Sequence, residues 1–198
     1  MRFLVVAGVG ALGVLVAIAR GSSVRGRPHA PKASPTMHQQ ASHDAFVAFE
    51  DVVHVTPTVN ELRILKAVSL HETTYGQGWR GNGAGSHNMG AIQADRSWTG
   101  STFDGSDTHP TAAGGAIAYE QKFRSYPTAI EGWKDLVNEL YIRRSNVRRA
   151  AQNGNPLDVA KAMRAAKYYE GQGATEAQRI RGYAQALADA LWEIDRNV

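Results

Sequence analysis

The sequence predicts a mainly helical α+β domain, preceded by an apolar N-terminal helix and a disordered linker. Apolar residues recur at helical spacing in stretches near 44–55, 58–75, 128–144, 156–170 and 175–195. A glycine- and threonine-rich stretch at 94–120 interrupts the helices and contains short runs typical of strands around Trp98 and at 117–119. The segment 123–126 is expected to be extended and to lead into the next helix. Cysteine is absent, so disulfides and thiolate chemistry are excluded.

Length and charge limit the possible partners. The chain has 198 residues, which is enough for one domain with a proper core plus a tail. Lys and Arg number 22 against 18 for Asp and Glu, a net charge of +4. This mild excess suits an anionic polymer or a membrane surface. It is too small to indicate nucleic acid, and no nucleic-acid recognition motif is present.

The N-terminal segment 1–20 is predicted to be a transmembrane anchor or a signal peptide. Residues 3–19 carry no charge and lie between Arg2 and Arg20. Seventeen residues is the low end of a membrane span, and Ala17-Ile-Ala19 also fits a signal-peptidase site. More basic residues follow the segment than precede it. If the segment is an anchor, this charge difference predicts that the residues after it lie in the cytoplasm.

Residues 21–42 are predicted to be a flexible linker, followed by the folded domain at 43–198. The linker has three prolines, small polar residues and almost no apolar bulk, so it cannot bury enough surface to fold. His29, His38 and His43 lie in or beside it. Their irregular spacing favours solvated histidines over a metal site.

The first two predicted helices are 44–55, capped by Ser42 or Asp44, and 58–75. The second carries Glu72 on one stripe with Leu65, Val68 and Tyr75, where a core residue is expected, close to the helix C-terminus. Burial and the negative end of the helix dipole both favour a protonated carboxyl, as a general acid requires. The alternative is a side chain that reaches past the helix end into solvent.

A glycine-rich loop follows, because Gly76 is a natural helix stop and several glycines come after it. Such a loop would let a long polymer lie close to the backbone, although a plain surface loop fits equally well. The pair His71-Glu72 does not start a zincin motif, because the required second histidine is replaced by Tyr75.

Helices dominate the C-terminal part. The stretch 128–144 places its apolar residues at core spacing and leads into the basic run 143–149, which we expect to be a solvated helix end or a weak anion contact. Asn155 is expected to cap a helix at 156–170, and the last helix should bury one stripe, listed here: Ile180, Tyr183, Leu187, Leu191 and Ile194.

Four blocks in this order resemble the autolysin-type N-acetylglucosaminidases of glycoside hydrolase family 73, in the lysozyme superfamily. They are His71-Glu-Thr-Thr-Tyr-Gly76, Ser86-His-Asn-Met-Gly-Ala-Ile92, Trp98-Thr-Gly100, and Phe123-Arg-Ser-Tyr126 followed by Glu131-Gly and Asp135. The resemblance covers roughly residues 60 to 190. Gly90 replaces an aromatic residue of that family and Ala91 replaces a glycine, while Gly90-Ala-Ile-Gln93 is similar to the Gly-Leu-Met-Gln of lytic transglycosylases.

The resemblance implies a lysozyme-like domain with a small β lobe that cleaves peptidoglycan glycan strands. An endo-β-N-acetylglucosaminidase with Glu72 as general acid comes first; a muramidase or lytic transglycosylase is the alternative. An inactive wall-binding or virion structural protein is the alternative from another class. Asp107 matches the family's second acid by position, or it forms a turn with Pro110.

Further site residues follow from the same resemblance. Those expected to bind substrate are Tyr75, Ser86, Asn88, Trp98, Tyr168 and Tyr169. Trp98 would stack on a sugar ring or cap the core. No metal or organic cofactor is implied, and we expect a monomer that is membrane-anchored through residues 3–19 or secreted. It would act at the bacterial wall, in the periplasm, at the cell surface or in a virion.

Overall fold

The computed structural model describes residues 33–78, 85–110, 116–171 and 173–197. It is mainly helical with one antiparallel hairpin, which confirms the predicted α+β class. The helices are α1 (Pro35–Val53), α2 (Val59–Thr73), α3 (Ala129–Val137), α4 (Ser145–Asn153), α5 (Pro156–Ala165) and α6 (Glu176–Arg196). The strands are β1 (Thr102–Pro110) and β2 (Ala116–Arg124), and a π-helical turn, Asn138–Ile142, continues α3.

The start of α1 corrects the sequence prediction. The helix begins at Pro35, capped by the Ser34 hydroxyl, which accepts a hydrogen bond from the Met37 amide (3.2 Å). Neither Ser42 nor Asp44 is the cap, and residues 35–42, which we assigned to the linker, are helical. His38 is buried rather than solvated, because this added part of the helix packs on the domain.

Helix α2 carries its start signal in the sequence. Thr58 and Glu61 form a reciprocal capping box at its N-terminus. The chain reverses at Thr74 and Tyr75, both in the left-handed conformation (φ 50° and 56°), so the helix ends before the predicted stop at Gly76. This early turn leaves Glu72 in the last full turn of α2.

The hairpin forms the small β lobe, and its strands are longer than the predicted runs. Thr102 pairs with Arg124 and Asp107 pairs with Tyr119. The predicted strand-like run around Trp98 is wrong. The chain forms a turn here, which is closed by the Trp98 backbone amide donating to the Asp95 carbonyl (3.1 Å). The extended segment predicted at 123–126 is confirmed as the end of β2 and the residues after it.

One buried guanidinium fixes this lobe to α3. Arg124 donates to Asp135 (2.8 Å) and lies 3.4 Å from a carboxylate oxygen of Glu139. Tyr126 donates to the same Asp135 carboxylate. Charge-assisted hydrogen bonds in a buried site hold geometry more firmly than neutral ones, so the hairpin has a defined position on the helical part.

The basic run 143–149 is only partly solvated, because two of its arginines bind buried carboxylates while Arg143 and Arg149 are exposed. Arg144 donates to Glu139 (2.7 Å), and Arg148 donates to the buried Glu61 of α2 (2.7 Å). The predicted helix 128–144 corresponds to α3 and the π-helical turn that continues it to Ile142, and α4 follows as a separate element. Helix α5 begins after the Asn155 cap, as predicted, but ends at Ala165, so Tyr168 and Tyr169 lie in the loop that follows it.

The core lies among the helices: α6, α1 and α4 each pack on α2, and α3 packs on α1. Its largest fully buried apolar side chains include Phe49, Ile64, Leu65, Trp133, Leu136, Leu140, Met163 and Leu187. Among the described residues, no helix is both long and apolar enough to cross a membrane. The predicted anchor at 3–19 and most of the predicted linker lie outside the described residues.

Candidate active site

Glu72 lies where the helical stripe predicted it, near the C-terminal end of α2 and only 8% exposed. Its Oε1 accepts a hydrogen bond from the hydroxyl of Tyr183 on α6 (2.7 Å). This bond crosses the packed α2–α6 interface, so the carboxyl is held from one side by the fold. A held carboxyl that still reaches the protein surface can exchange a proton with a bound substrate.

Tyr183 is itself fixed by two aromatic neighbours. Its ring stacks on Tyr169, with centroids 4.0 Å apart and planes at 10°, and meets the edge of His71 at 5.3 Å. The Tyr169 hydroxyl donates to the Ala160 carbonyl (3.0 Å), and burial raises the pKa of Tyr169 to about 12. The Tyr169 hydroxyl therefore stays protonated near pH 7, and the Tyr169 ring presents partly exposed aromatic surface next to Tyr183.

Tyr168 closes another side of the cluster. Burial, reinforced by the nearby charge of Glu72, raises the pKa of Tyr168 well above its usual value. Its hydroxyl therefore stays protonated and donates to the Gly90 carbonyl (3.0 Å). A Cβ at Gly90 would lie 2.7 Å from this oxygen and 2.5 Å from Leu136, so a larger residue here would require the ends of both side chains to shift.

The Ser86–Ile92 block builds backbone geometry around the site. The Asn88 side-chain amide donates to the carbonyls of Ile92 and Arg124 (both 2.9 Å), and its oxygen accepts from the Ile92 amide (2.9 Å). Ser86 is buried, and its hydroxyl oxygen lies 3.4 Å from the backbone nitrogen of Asn88. The structure thus places both predicted substrate-binding residues inside the loop, and direct sugar contacts from them stay predictions.

Asp107 lies on the hairpin, in a separate part of the molecule from the helix that carries Glu72. Its Oδ2 accepts hydrogen bonds from Gln93 (2.9 Å) and from Tyr119 across the strand pair (3.4 Å). The carboxylate is partly exposed and oriented by these two donors. It belongs to the strand rather than to a turn with Pro110.

The other two predicted substrate residues, Tyr75 and Trp98, each have well-defined neighbours. The Tyr75 hydroxyl is hydrogen-bonded to His38 (2.9 Å), and its ring lies in the core beside Trp133. The Trp98 ring lies 4.9 Å from the Arg124 guanidinium, and its indole N–H donates to the Ser101 carbonyl (2.9 Å). Trp98 therefore covers the Arg124 side chain at the base of the hairpin, and its two sequence interpretations, stacking on a sugar ring and capping the core, stay predictions.

Sequence reasoning missed Tyr183 as a site residue. We placed it on the buried stripe of the last helix, which is correct, but that stripe otherwise consists of aliphatic residues. A tyrosine needs a polar partner when it is buried, and that requirement was the available signal. Within the described part of the chain, no group of three or more His, Asp or Glu side chains could hold a metal ion.

No protein-family model matches the sequence, and no curated protein matches it. Solved structures do. A mutant of a peptidoglycan hydrolase from Sphingomonas sp. A1 is 18% identical, with 83% of this chain and 100% of that chain covered and a TM-score of 0.60. A truncated glycoside hydrolase domain of FlgJ from Salmonella typhimurium is 25% identical, with 83% and 99% covered and a TM-score of 0.52.

The catalytic domain of the autolysin Auto from Listeria monocytogenes is 15% identical, with 82% and 87% covered and a TM-score of 0.52. The match to this chain covers nearly the whole length of each of these three structures. They confirm the resemblance that the four sequence blocks indicated: the chain has the fold of autolysin and peptidoglycan hydrolase domains.

Proposed function

We propose that the protein hydrolyses the glycan strands of peptidoglycan at the bacterial wall, with Glu72 as the general acid. The observation that carries this proposal is the buried carboxyl at the end of α2, held by Tyr183 (2.7 Å). It occurs in a chain whose structural neighbours include peptidoglycan hydrolases and a glycoside hydrolase domain. Glycosidases need such an acid to protonate the oxygen of the leaving sugar.

The cluster around Glu72 suits a sugar substrate. Tyr169 and Tyr183 form a stacked pair beside the carboxyl, and aromatic rings supply the flat surface on which pyranose rings pack. Tyr168 donates to the Gly90 backbone, which ties this loop to the segment that follows α5. A strand lying along this loop would meet Glu72 at its glycosidic oxygen.

Asp107 is our candidate for the second catalytic group. Its carboxylate is oriented by Gln93 and Tyr119 on the hairpin, across from the helical part. It would act as a base or nucleophile on the far side of the sugar. If the substrate's own N-acetyl group attacks instead, Asp107 would orient or stabilise it.

The decisive experiment is digestion of purified peptidoglycan by the wild-type protein and by Glu72→Gln, with mass spectrometry of the new ends. Glutamine keeps the volume and can still accept from Tyr183, but it cannot donate the proton, so activity should fall about 10²–10⁴-fold with the fold intact. New reducing N-acetylglucosamine ends support the N-acetylglucosaminidase. Reducing muramic ends indicate a muramidase, and 1,6-anhydro ends a lytic transglycosylase.

Asp107→Asn is the companion variant, and Asp104→Asn on the same strand is its matched control. Asp104 is exposed, and its ion pair among the described residues is with Lys122, so its loss should leave the rate unchanged. A loss at Asp107 close to that of Glu72 assigns a direct role; a distinctly smaller one assigns an orienting role. An active Glu72→Gln protein would refute the assignment, and no cleavage by the wild type would favour a wall-binding protein.

A further inference from the structure

A groove of about 670 Å³ lies between the end of α1, the 98–101 loop, residues 125–127 and α3. Neither Glu72 nor any of the three tyrosines around it lines this groove. We propose that it binds the short peptides attached to the glycan of peptidoglycan. The inference rests on the proposed function, because it assigns a second contact to the same substrate.

The walls of the groove are apolar and already in place. Val52 and Pro127 provide aliphatic surface, while Trp98 and Tyr126 meet edge to face with centroids 5.5 Å apart. Both aromatic side chains are held by hydrogen bonds, from the indole to Ser101 and from the phenol to Asp135. A ligand would therefore order few side chains on binding, which lowers the entropic cost of association.

The rim carries both signs of charge on one helix face. Glu131 and Lys134 are three residues apart on α3 and both line the groove. Lys134 pairs with Asp51 of α1, but the two side chains are 39% and 56% exposed. An exposed pair of this kind contributes little, so Lys134 can exchange Asp51 for a carboxylate of the ligand.

Asn138 supplies a group suited to peptide amides. It lines the groove at the first residue of the π-helical turn, and within the described ranges no hydrogen bond of its side chain is seen. A primary amide can donate to a carbonyl and accept from an N–H at once. Single π-helical turns are rare and often occur at functional sites.

These features together select the chemistry of the ligand. Small aliphatic side chains, a free carboxylate for Lys134, an amino group for Glu131 and backbone amides for Asn138 are properties of a short zwitterionic peptide. A neutral sugar would leave both rim charges unused, and a purely anionic polymer would be repelled by Glu131. The peptides carried by the glycan strand combine all four properties.

The kinetic test compares intact peptidoglycan with glycan strands from which an amidase has removed the peptides. In the full-length chain, Lys134→Glu should raise KM on the intact wall about fivefold to tenfold and leave KM on the stripped strands unchanged. Lys161→Glu is the matched control, since Lys161 is an exposed lysine on α5 whose ion pair, in the part of the chain that the structure describes, is with Asp158. Its KM should not change on either substrate.

A binding test makes the inference independent of cleavage. A synthetic tetrapeptide of the wall type, titrated into Glu72→Gln, should shift the Trp98 indole N–H resonance, and Asn138→Ala should abolish the shift. The inference is overturned if Lys134→Glu changes KM by the same factor on intact peptidoglycan and on stripped strands. It is also overturned if a bare glycan fragment shifts the Trp98 resonance and the peptide does not. If neither substrate is cleaved, the proposed function fails and the titration alone decides the inference.

Discussion

The hydrogen bond from Tyr183 to Glu72 gives a prediction that the structure makes quantitative. Tyr183→Phe removes the hydroxyl that donates to Oε1 at 2.7 Å but keeps the ring stacked 4.0 Å from Tyr169. A hydrogen bond contributes roughly 0.5–1.5 kcal/mol when both partners are neutral and roughly 1.5–3 kcal/mol when one of them is charged. Because the carboxyl would lose its fixed orientation, we expect kcat on peptidoglycan to fall about 10- to 100-fold, at about 1.4 kcal/mol for each factor of ten.

The control must lose a similar hydrogen bond on the same helix without touching Glu72. Tyr141→Phe does this, since the buried Tyr141 hydroxyl donates to the Glu61 carbonyl near the other end of α2 (2.8 Å). Both variants should lose stability in thermal unfolding, but only Tyr183→Phe should lose activity in a wall-solubilisation assay. Wild-type kcat in Tyr183→Phe, or an equal loss of kcat in Tyr141→Phe, would refute the reasoning.

Three further changes test the fold around the site. Ala91→Gly should raise the free energy of unfolding by roughly 0.5–1 kcal/mol, seen as a higher melting temperature, because Ala91 is held at φ 50°. Gly132→Ala should lower the free energy of unfolding by more than about 3 kcal/mol or prevent folding, since its Cβ would lie 1.8 Å from a backbone oxygen. Gly182→Ala is the control: it has open space around it and should stabilise α6. Denaturant titrations compare the two variants. Burial lowers the pKa of His38 against the opposing effect of Glu193, so as the pH falls the unfolded chain binds a proton before the folded chain does. Stability should therefore fall as the pH drops below about 6.5. His38→Gln should flatten that pH dependence in thermal unfolding.

Features that depend on neighbours in the sequence could be predicted. The capping box at Thr58, the Asn155 cap and the buried stripe of α6 all follow from patterns within a few residues. Glu72 belongs with them, because helical spacing alone places it on the inner face of α2. The stripe shows that a side chain points inward, but it does not show which side chain it meets.

Features that depend on distant partners could not be predicted. Tyr183 meets Glu72 across 111 residues, and Arg148 meets Glu61 across 87. In the sequence, Arg148 is one member of a basic run and Tyr183 one member of an apolar stripe. His38 was missed for the same reason: its partners, Tyr75 and Glu193, lie on two other parts of the chain.

The sequence blocks that resemble the autolysin family are mainly architectural in this structure. Asn88 binds the backbone of both Ile92 and Arg124, and the Arg124 side chain binds Asp135 of α3. The hairpin is therefore fixed to the helical part through a chain of buried polar contacts that begins beside Gly90, the residue bound by Tyr168. Two carboxylates on separate lobes can act on one glycosidic bond only if the lobes keep a constant separation. We infer that the residues of these blocks keep the two proposed catalytic carboxylates, Glu72 and Asp107, at a constant separation. Their main role would then be to hold the two lobes together.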